Sequence, residues 1–223
     1  MSERKEIEVV TFSRDDNPVS LSSKLDGVDF VFHLAGVNRP KNIEEFTVGN
    51  SDLTSILCQA IIRTKLIIPI VYTSSVQADQ ANPYGQSKKA SEKILMDFSA
   101  QSGSPIYLFR LPNVFGKWCK PNYNSVVATF CYNIAHDLPI KINDPAALVQ
   151  LIYIDDLIKY FLFIMDGALV EPGFNDVNLV YELTVCVLAK KLKLFKDSRQ
   201  NLLTEPVGTG LDRALHSTYL SYL

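Results

Sequence analysis

IIPIVYTSSVQADQANPYGQSKKASE, residues Ile67 to Glu92, begins as an apolar β-run and passes through a short polar stretch into a helix. Ile67 to Thr73 (IIPIVYT) has the continuous apolar character of a strand buried on both faces. Pro69 cannot donate to a ladder, so it marks the strand's entrance. Asn82-Pro83 opens the helix, because Asn is a good N-cap and Pro suits the first helical position. The helix is expected to run to about Ala100 and to end before Gly103.

The same alternation extends outward. Val9 to Phe12, Val28 to Leu34 (VDFVFHL), Ile106 to Phe109 (IYLF), Leu148 to Ile154 (LVQLIYI) and Val180 to Leu183 read as further strands. Ile43 to Ile62 carries apolar residues at close to helical spacing. Val126 to Ala135, Asp155 to about Met165 and the segment capped by Thr184 also read as helices. Apolar strands separated by amphipathic helices predict an α/β fold, a parallel sheet with helices on both faces. Such sheets bind ligands beyond the carboxyl ends of their strands, here just after Leu34, Thr73 and Phe109. Beyond Ser198 the pattern weakens. Asn201 to Gly210 (NLLTEPVGTG) reads as a linker, and Ser217 to Leu223 (STYLSYL) as β-prone.

The chemistry follows the strand at residue 73. Ser74 and Ser75 close that strand, and Tyr84 and Lys88 lie four apart on one helical face. An ordinary tyrosine, with a pKa of about 10, is a poor acid–base group at neutral pH. A cation one turn away favours the phenolate and is expected to bring that pKa toward working range. With a serine hydroxyl from the strand end, the three form a device for moving a proton to or from a carbinol oxygen. Of ten tyrosines only Tyr84 has a lysine four residues later.

Composition narrows the classes of function. The chain has 223 residues, 22 basic and 24 acidic, so its net charge is −2. No basic excess exists to release counterions from nucleic acid. The apolar runs are too short to span a bilayer, and no secretory signal opens the chain. Cys58, Cys119, Cys131 and Cys186 form no CxxC pair, and His33, His136 and His216 are scattered, so no metal site is written here. Reduced thiols point to a cytoplasmic protein.

The run TSS…NPYGQSK followed by Glu92 resembles the extended short-chain dehydrogenase/reductase family, the NAD-dependent epimerases/dehydratases, which act on nucleotide sugars. HLAGVNRP (His33 to Pro40), VGN (Val48 to Asn50) and LPNVFGKWCKPNYNSVVATFCYNIA (Leu111 to Ala135) are similar to one branch of it, the bifunctional capsular-polysaccharide reductase/epimerases of UDP-N-acetyl-L-fucosamine synthesis. The resemblance covers roughly Val9 to Arg199 and resumes at STYLSYL. It implies a Rossmann-like sheet with a small C-terminal substrate-binding portion. Residues 1–200 would form the reductase domain, with substrate-binding parts at about 112–147 and 166–200, and 201–223 would lead toward a cupin domain. Family members begin with a strand and a GxxGxxG turn. The early glycines here, Gly27, Gly36 and Gly49, do not have that arrangement, so the first βα unit is expected to be missing, as is the cupin.

Residue by residue, the resemblance assigns proton delivery to Tyr84 and a nicotinamide-ribose hydrogen bond to Lys88. It matches the family serine to Ser75, with Ser74 beside the cofactor. Arg14 would hold the adenosine phosphate of NADPH, as a guanidinium can, unless it is a solvated surface residue. Leu34, Ala35 and Gly36 would line the cofactor channel with backbone. Asn50 would steady the active-site backbone, or merely cap a helix. Arg39, Asn113, Lys117, Lys120 and Asn122, with Asn124, would meet the UDP-sugar. Trp118 and Tyr123 stack on a base or pack internally. Asp155 and Asp156 read as caps on their helix, and His33 as a packed strand histidine.

Two functions compete. One is an NADPH- (or NADH-) dependent reductase of a UDP-linked keto sugar, with a homodimer implied by resemblance. The other is a remnant that keeps the sugar site but not the dinucleotide cradle.

Overall fold

Pro69 stands directly before a strand, where its missing N–H costs nothing and its carbonyl oxygen accepts from Val31 N at 2.9 Å. The computed structural model describes residues 4–203 and 207–223. Helix α1 (Leu21–Lys24) precedes β1 (Val31–His33), and α2 (Glu44–Phe46) continues through a π-helical turn (Thr47–Asp52) into α3 (Leu53–Thr64). Then come β2 (Ile70–Ser75), a 3-10 turn (Val76–Asp79), α4 (Pro83–Ser102) and β3 (Ile106–Leu111). The remainder is β4 (Asn113–Phe115), α5 (Val126–Ala135), β5 (Leu148–Tyr153), α6 (Ile154–Met165), β6 (Gly173–Asn175), β7 (Val180–Thr184), α7 (Val185–Asn201) and α8 (Gly210–Leu220).

Two units form. One ends at Arg110 and takes in Leu169–Asp176; the other is Leu111–Ala168 with Val177–Leu223. The first carries the sheet β1-β2-β3-β6. Val31 pairs with Ile70, and Tyr107 with Gly173, both in parallel register. This is a Rossmann-like parallel sheet with helices on both faces. Ile61, Ile70, Leu95, Ile106 and Leu108 form its buried core, each such side chain contributing about 1.5–3 kcal/mol. Helix α4 starts as its sequence dictates: Asn82 Oδ1 accepts from Gly85 N at 2.8 Å, and Gly103 at φ +75° closes the other end. A Cβ on Gly85 would overlap the carbonyl oxygens of Gln77 and Gln80, so glycine lets the helix start lie against the 3-10 turn.

The second unit holds the sheet β4-β5-β7, in which β4 and β5 are parallel and β5 and β7 antiparallel. Its core gathers Phe115, Val127, Phe130, Leu151, Leu188 and Leu215.

Several expectations are corrected. Val9 to Phe12 is not a strand, because no neighbouring strand pairs with it among the described residues. Val9 and Val10 are half exposed, and Lys24 Nζ donates to the Thr11 carbonyl oxygen instead. Arg14 therefore follows an irregular segment and sits exposed in a turn. Leu148 to Ile154 and Val180 to Leu183 pair antiparallel rather than extending one parallel sheet. Ser217 to Leu223 is not β-structure: α8 buries Ala214, Leu215, Thr218 and Tyr219, a stripe of helical spacing.

Candidate active site

β2 delivers two serines at its carboxyl end, and they diverge. Ser75 caps the 3-10 turn by accepting from Gln77 N at 3.2 Å. Its hydroxyl also lies within reach of the Tyr84 phenol, where it favours the phenolate. Ser74 Oγ turns inward and donates to Glu92 Oε1 at 2.5 Å.

Tyr84 opens α4, and its ring lies 5.9 Å from that of Phe46. Burial pushes the Tyr84 phenol above its ordinary value, against the opposing pull of the nearby Ser75 hydroxyl. Lys88, one turn on, is buried. Its Nζ donates to the Thr73 carbonyl oxygen at 2.8 Å and lies 4.9 Å from the Tyr72 ring centroid. Burial pushes Lys88 down to about 8, while the field of Glu92 works upward. The expected lowering of the Tyr84 pKa by this ammonium is not what the arrangement produces. Deprived of water, the ammonium takes the nearest carbonyl oxygen, and desolvation dominates the phenol.

Asn50 reaches the same place from the π-helical turn. Its Oδ1 accepts from Val37 N at 2.8 Å, and its Nδ2 donates to Val37 O at 3.1 Å and to Ser87 Oγ at 2.8 Å. Both edges of its amide thus fix the loop after β1. In that loop Leu34, Ala35 and Gly36 are exposed. A Cβ on Gly36 would come within 3.0 Å of both Asn50 Oδ1 and Lys88 Nζ, filling the space over the ammonium. Arg39 is also exposed. His33 is buried, with Nε2 2.8 Å from Thr54 Oγ1. Since Thr54 gives its proton to Asn50 O, His33 Nε2 carries the hydrogen toward Thr54. Burial first, and the Lys88 charge second, push His33 down to about 3.

The other sugar-site candidates belong to the second unit. Asn113 Nδ2 donates to Gln150 O at 3.2 Å. Lys117 Nζ pairs with Asp155 Oδ2 at 2.9 Å and lies 5.5 Å from the Trp118 ring centroid. Lys120 lies 5.5 Å from the Tyr123 ring. Asn122 is exposed and left-handed, donating its N–H to Thr129 Oγ1 at 3.0 Å. Trp118 is 79% exposed and also left-handed, so its ring is open to a partner. Asp155 does not cap its helix. Burial opposes its charge, but donors from Lys117 and Tyr153 hold its pKa below the ordinary carboxylate range. Asp156 faces Arg213 at 3.8 Å.

Sequence reasoning missed Arg110 and Thr73. Arg110 Nε and Nη2 donate to Glu92 at 2.9 and 2.7 Å, and Nη1 to Asp79 Oδ2 at 2.5 Å. The only available signal was an arginine interrupting an apolar strand, IYLFRL.

A parallel strand that ends in serine and leads into a helix with tyrosine and lysine one turn apart has the order of the short-chain dehydrogenases/reductases. Comparison is more specific: the chain belongs to the NAD dependent epimerase/dehydratase family, which it matches over residues 3–179. It is 51% identical, over its whole length, to UDP-2-acetamido-2,6-beta-L-arabino-hexul-4-ose reductase of Pseudomonas aeruginosa. The chain spans 60% of that relative. The crystal structure of the capsular polysaccharide assembling protein CapF from Staphylococcus aureus superposes with a TM-score of 0.89 at 37% identity, covering 100% of this chain and 61% of that one. UDP-glucuronic acid 4-epimerase from Bacillus cereus, solved with NAD, shares the fold at a TM-score of 0.79 and 18% identity, covering 93% of this chain and 79% of that one. Among the described residues no helix is long and apolar enough to cross a membrane.

Proposed function

We propose that this chain carries the reductase chemistry of a UDP-linked 4-keto amino sugar, in the cytoplasm, toward capsular or O-antigen precursors. The observation that carries the reading is the Tyr84 phenol within reach of the Ser75 hydroxyl at the end of β2, with Lys88 one helical turn on and its buried ammonium held by the Thr73 carbonyl oxygen. The name of the Pseudomonas relative supports the substrate class.

The cofactor would be NADPH, or NADH, supplying the hydride that reduces the carbonyl carbon. The space over Lys88 that a Gly36 Cβ would fill suits the nicotinamide-ribose end. Lys88 and Asn50 would orient that end, and the exposed backbone of residues 34–36 would line its approach. Arg14 is exposed and able to meet a phosphate.

Tyr84 is protonated at neutral pH, as an ordinary tyrosine is, so it holds a proton to give, and its raised pKa means that the site must stabilise the phenolate for that proton to leave. As negative charge develops on the sugar oxygen, Tyr84 donates its proton there and Ser75 holds the oxygen by a hydrogen bond. With a pKa near 8, Lys88 is about nine-tenths ammonium at pH 7 and stabilises the phenolate left behind. Ser74 supports from behind, through Glu92. Arg39, Asn113, Lys117, Lys120 and Asn122 are proposed to bind the UDP-sugar, and the chain to pair as a homodimer.

One sequence observation favours a second reading, a chain that binds the sugar without turning over dinucleotide: its 223 residues contain no GxxGxxG run. The test is NADPH consumption by the chain supplied with a UDP-linked 4-keto amino sugar, at millimolar NADPH. Conversion to the 4-hydroxy sugar is expected. Sugar binding with no consumption would support the second reading.

A further inference from the structure

The buried carboxylate of Glu92 accepts three hydrogen bonds from two residues. Ser74 Oγ donates to it at 2.5 Å from β2, and Arg110 donates twice, at 2.9 and 2.7 Å, from β3. The same guanidinium bonds Asp79 at the end of the 3-10 turn, and its plane lies 4.8 Å from the Phe174 ring of β6. Asp79 takes Lys89 as a second, exposed partner at 3.3 Å. Each anchor adjoins a reacting group. Ser74 precedes Ser75, Asp79 closes the turn that Ser75 caps, and Glu92 follows Lys88 by one helical turn on the face that bears Tyr84.

Hydrogen bonds to ionised groups are the strong ones and hold their partners in place, and a buried ion pair's field is poorly screened. We propose that Glu92 is the positioning residue of this site, acting through Ser74 on the strand end that carries Ser75 and through its field on the Lys88 ammonium, with Arg110 and Asp79 as its clamp. The inference rests on the reading of Tyr84 and Lys88 as reacting groups.

The other groups around Lys88 are Tyr72 from β2, His33 from β1 and the neutral Asn50 amide, with Tyr84 one turn back on its own helix. His33 is neutral above about pH 3, and burial keeps the Tyr72 phenol neutral well past its ordinary range. Among the described residues Glu92 is then the charged side chain whose field reaches Lys88, and it raises the ammonium's proton affinity against burial.

The experiment uses the full chain with lysines carrying carbon-13 at Cε. The Lys88 signal, assigned with Lys88→Arg, is titrated in the wild type, Glu92→Gln and Glu92→Asp. Glu92→Gln should lower the Lys88 midpoint by about half a pH unit or more, and Glu92→Asp should restore much of it. Glu92→Gln/Arg110→Gln, which leaves no unpaired charge, covers a failure of the single variant to fold and should show the same shift. An unchanged midpoint in whichever variant folds overturns the inference. Collapse of both also overturns it, making the network a staple of the fold and nothing more. No substrate enters this measurement, so the reductase reading fails separately, if the coupling is present and Tyr84→Phe still turns over sugar. Where turnover is measured, Glu92→Gln should lower kcat while KM changes little, with Glu92→Asp intermediate.

Discussion

Lys88 aims its ammonium at the carbonyl oxygen of Thr73, 2.8 Å away, from a position only 4% exposed. The bond fixes the ammonium beside the strand end that carries the serines. It also makes Lys88 a source of instability, since a buried ammonium forfeits its hydration.

Lys88→Met should therefore stabilise the chain while removing its chemistry. The folded pKa is depressed from 10.5 to about 8, so the unfolded chain holds this proton more tightly. The cost is full below pH 8 and disappears as pH rises from 8 to 10.5. At pH 7 the variant should gain on the order of 1–3 kcal/mol, and wild type and variant should converge near pH 10.5. Urea unfolding at pH 7 and pH 10 checks this. A variant less stable than wild type at pH 7 would mean that the bond to Thr73 outweighs the desolvation.

Tyr84→Phe separates the phenol's chemistry from its packing. The ring's contact with Phe46 remains, and the phenol's approach to the Ser75 hydroxyl is lost. Stability should fall by about 1 kcal/mol. Keto-sugar reduction should fall by roughly a hundred- to ten-thousand-fold, the range of a general acid. Unchanged turnover would remove Tyr84 from the mechanism.

His33 should govern much of the acid limb of stability. Its folded pKa lies near 3 against an ordinary 6.5, so the unfolded chain takes up this proton first. Stability is thus lost as pH falls from 6.5 toward 3. The loss is several kcal/mol at most, because each tenfold difference in proton affinity between the folded and unfolded chain is worth about 1.4 kcal/mol. His33→Gln can keep a donor toward Thr54 without titrating. Its unfolding midpoint should drop less than that of wild type between pH 6.5 and pH 4. Parallel acid limbs would show that His33 carries its proton in the folded state.

The 223-residue chain should bind NADPH weakly by itself, because no GxxGxxG run is present to let a helix start approach the pyrophosphate. Calorimetric titration should show affinity well short of micromolar. Micromolar binding would show that the loop at residues 34–36 and Lys88 suffice.

What was legible in the sequence follows interaction range. Asn82, Pro83 and Gly103 bracket α4 because capping and prolyl geometry act within one turn, and Tyr84 and Lys88 share a face for the same local reason. The direction of β7 against β5 was not legible, since apolar periodicity carries no partner information. Nor was the grip of Arg110 on Glu92, 18 residues apart in sequence, because nothing local pairs them. α8 was obscured differently: Leu211, Ala214, Leu215, Thr218, Tyr219 and Tyr222 have helical spacing, but β-prone tyrosines and threonines masked it.

That last helix holds the loop bearing Trp118. Ser221 Oγ accepts from Trp118 N at 3.2 Å, and the Tyr222 hydroxyl donates to the Cys119 carbonyl oxygen. Two bonds from the final residues of the chain thus fix a left-handed, exposed tryptophan whose neighbours, Lys117 and Lys120, are proposed sugar-nucleotide ligands. Tyr222→Phe removes one bond and leaves the ring to pack edge-on against Tyr132. The loss in stability should be about 1 kcal/mol. If the loop binds the UDP-sugar, KM should rise several-fold with kcat little changed, and Trp118 fluorescence should lose part of its response to UDP. A fall in kcat at constant KM would show that the loop does not serve binding.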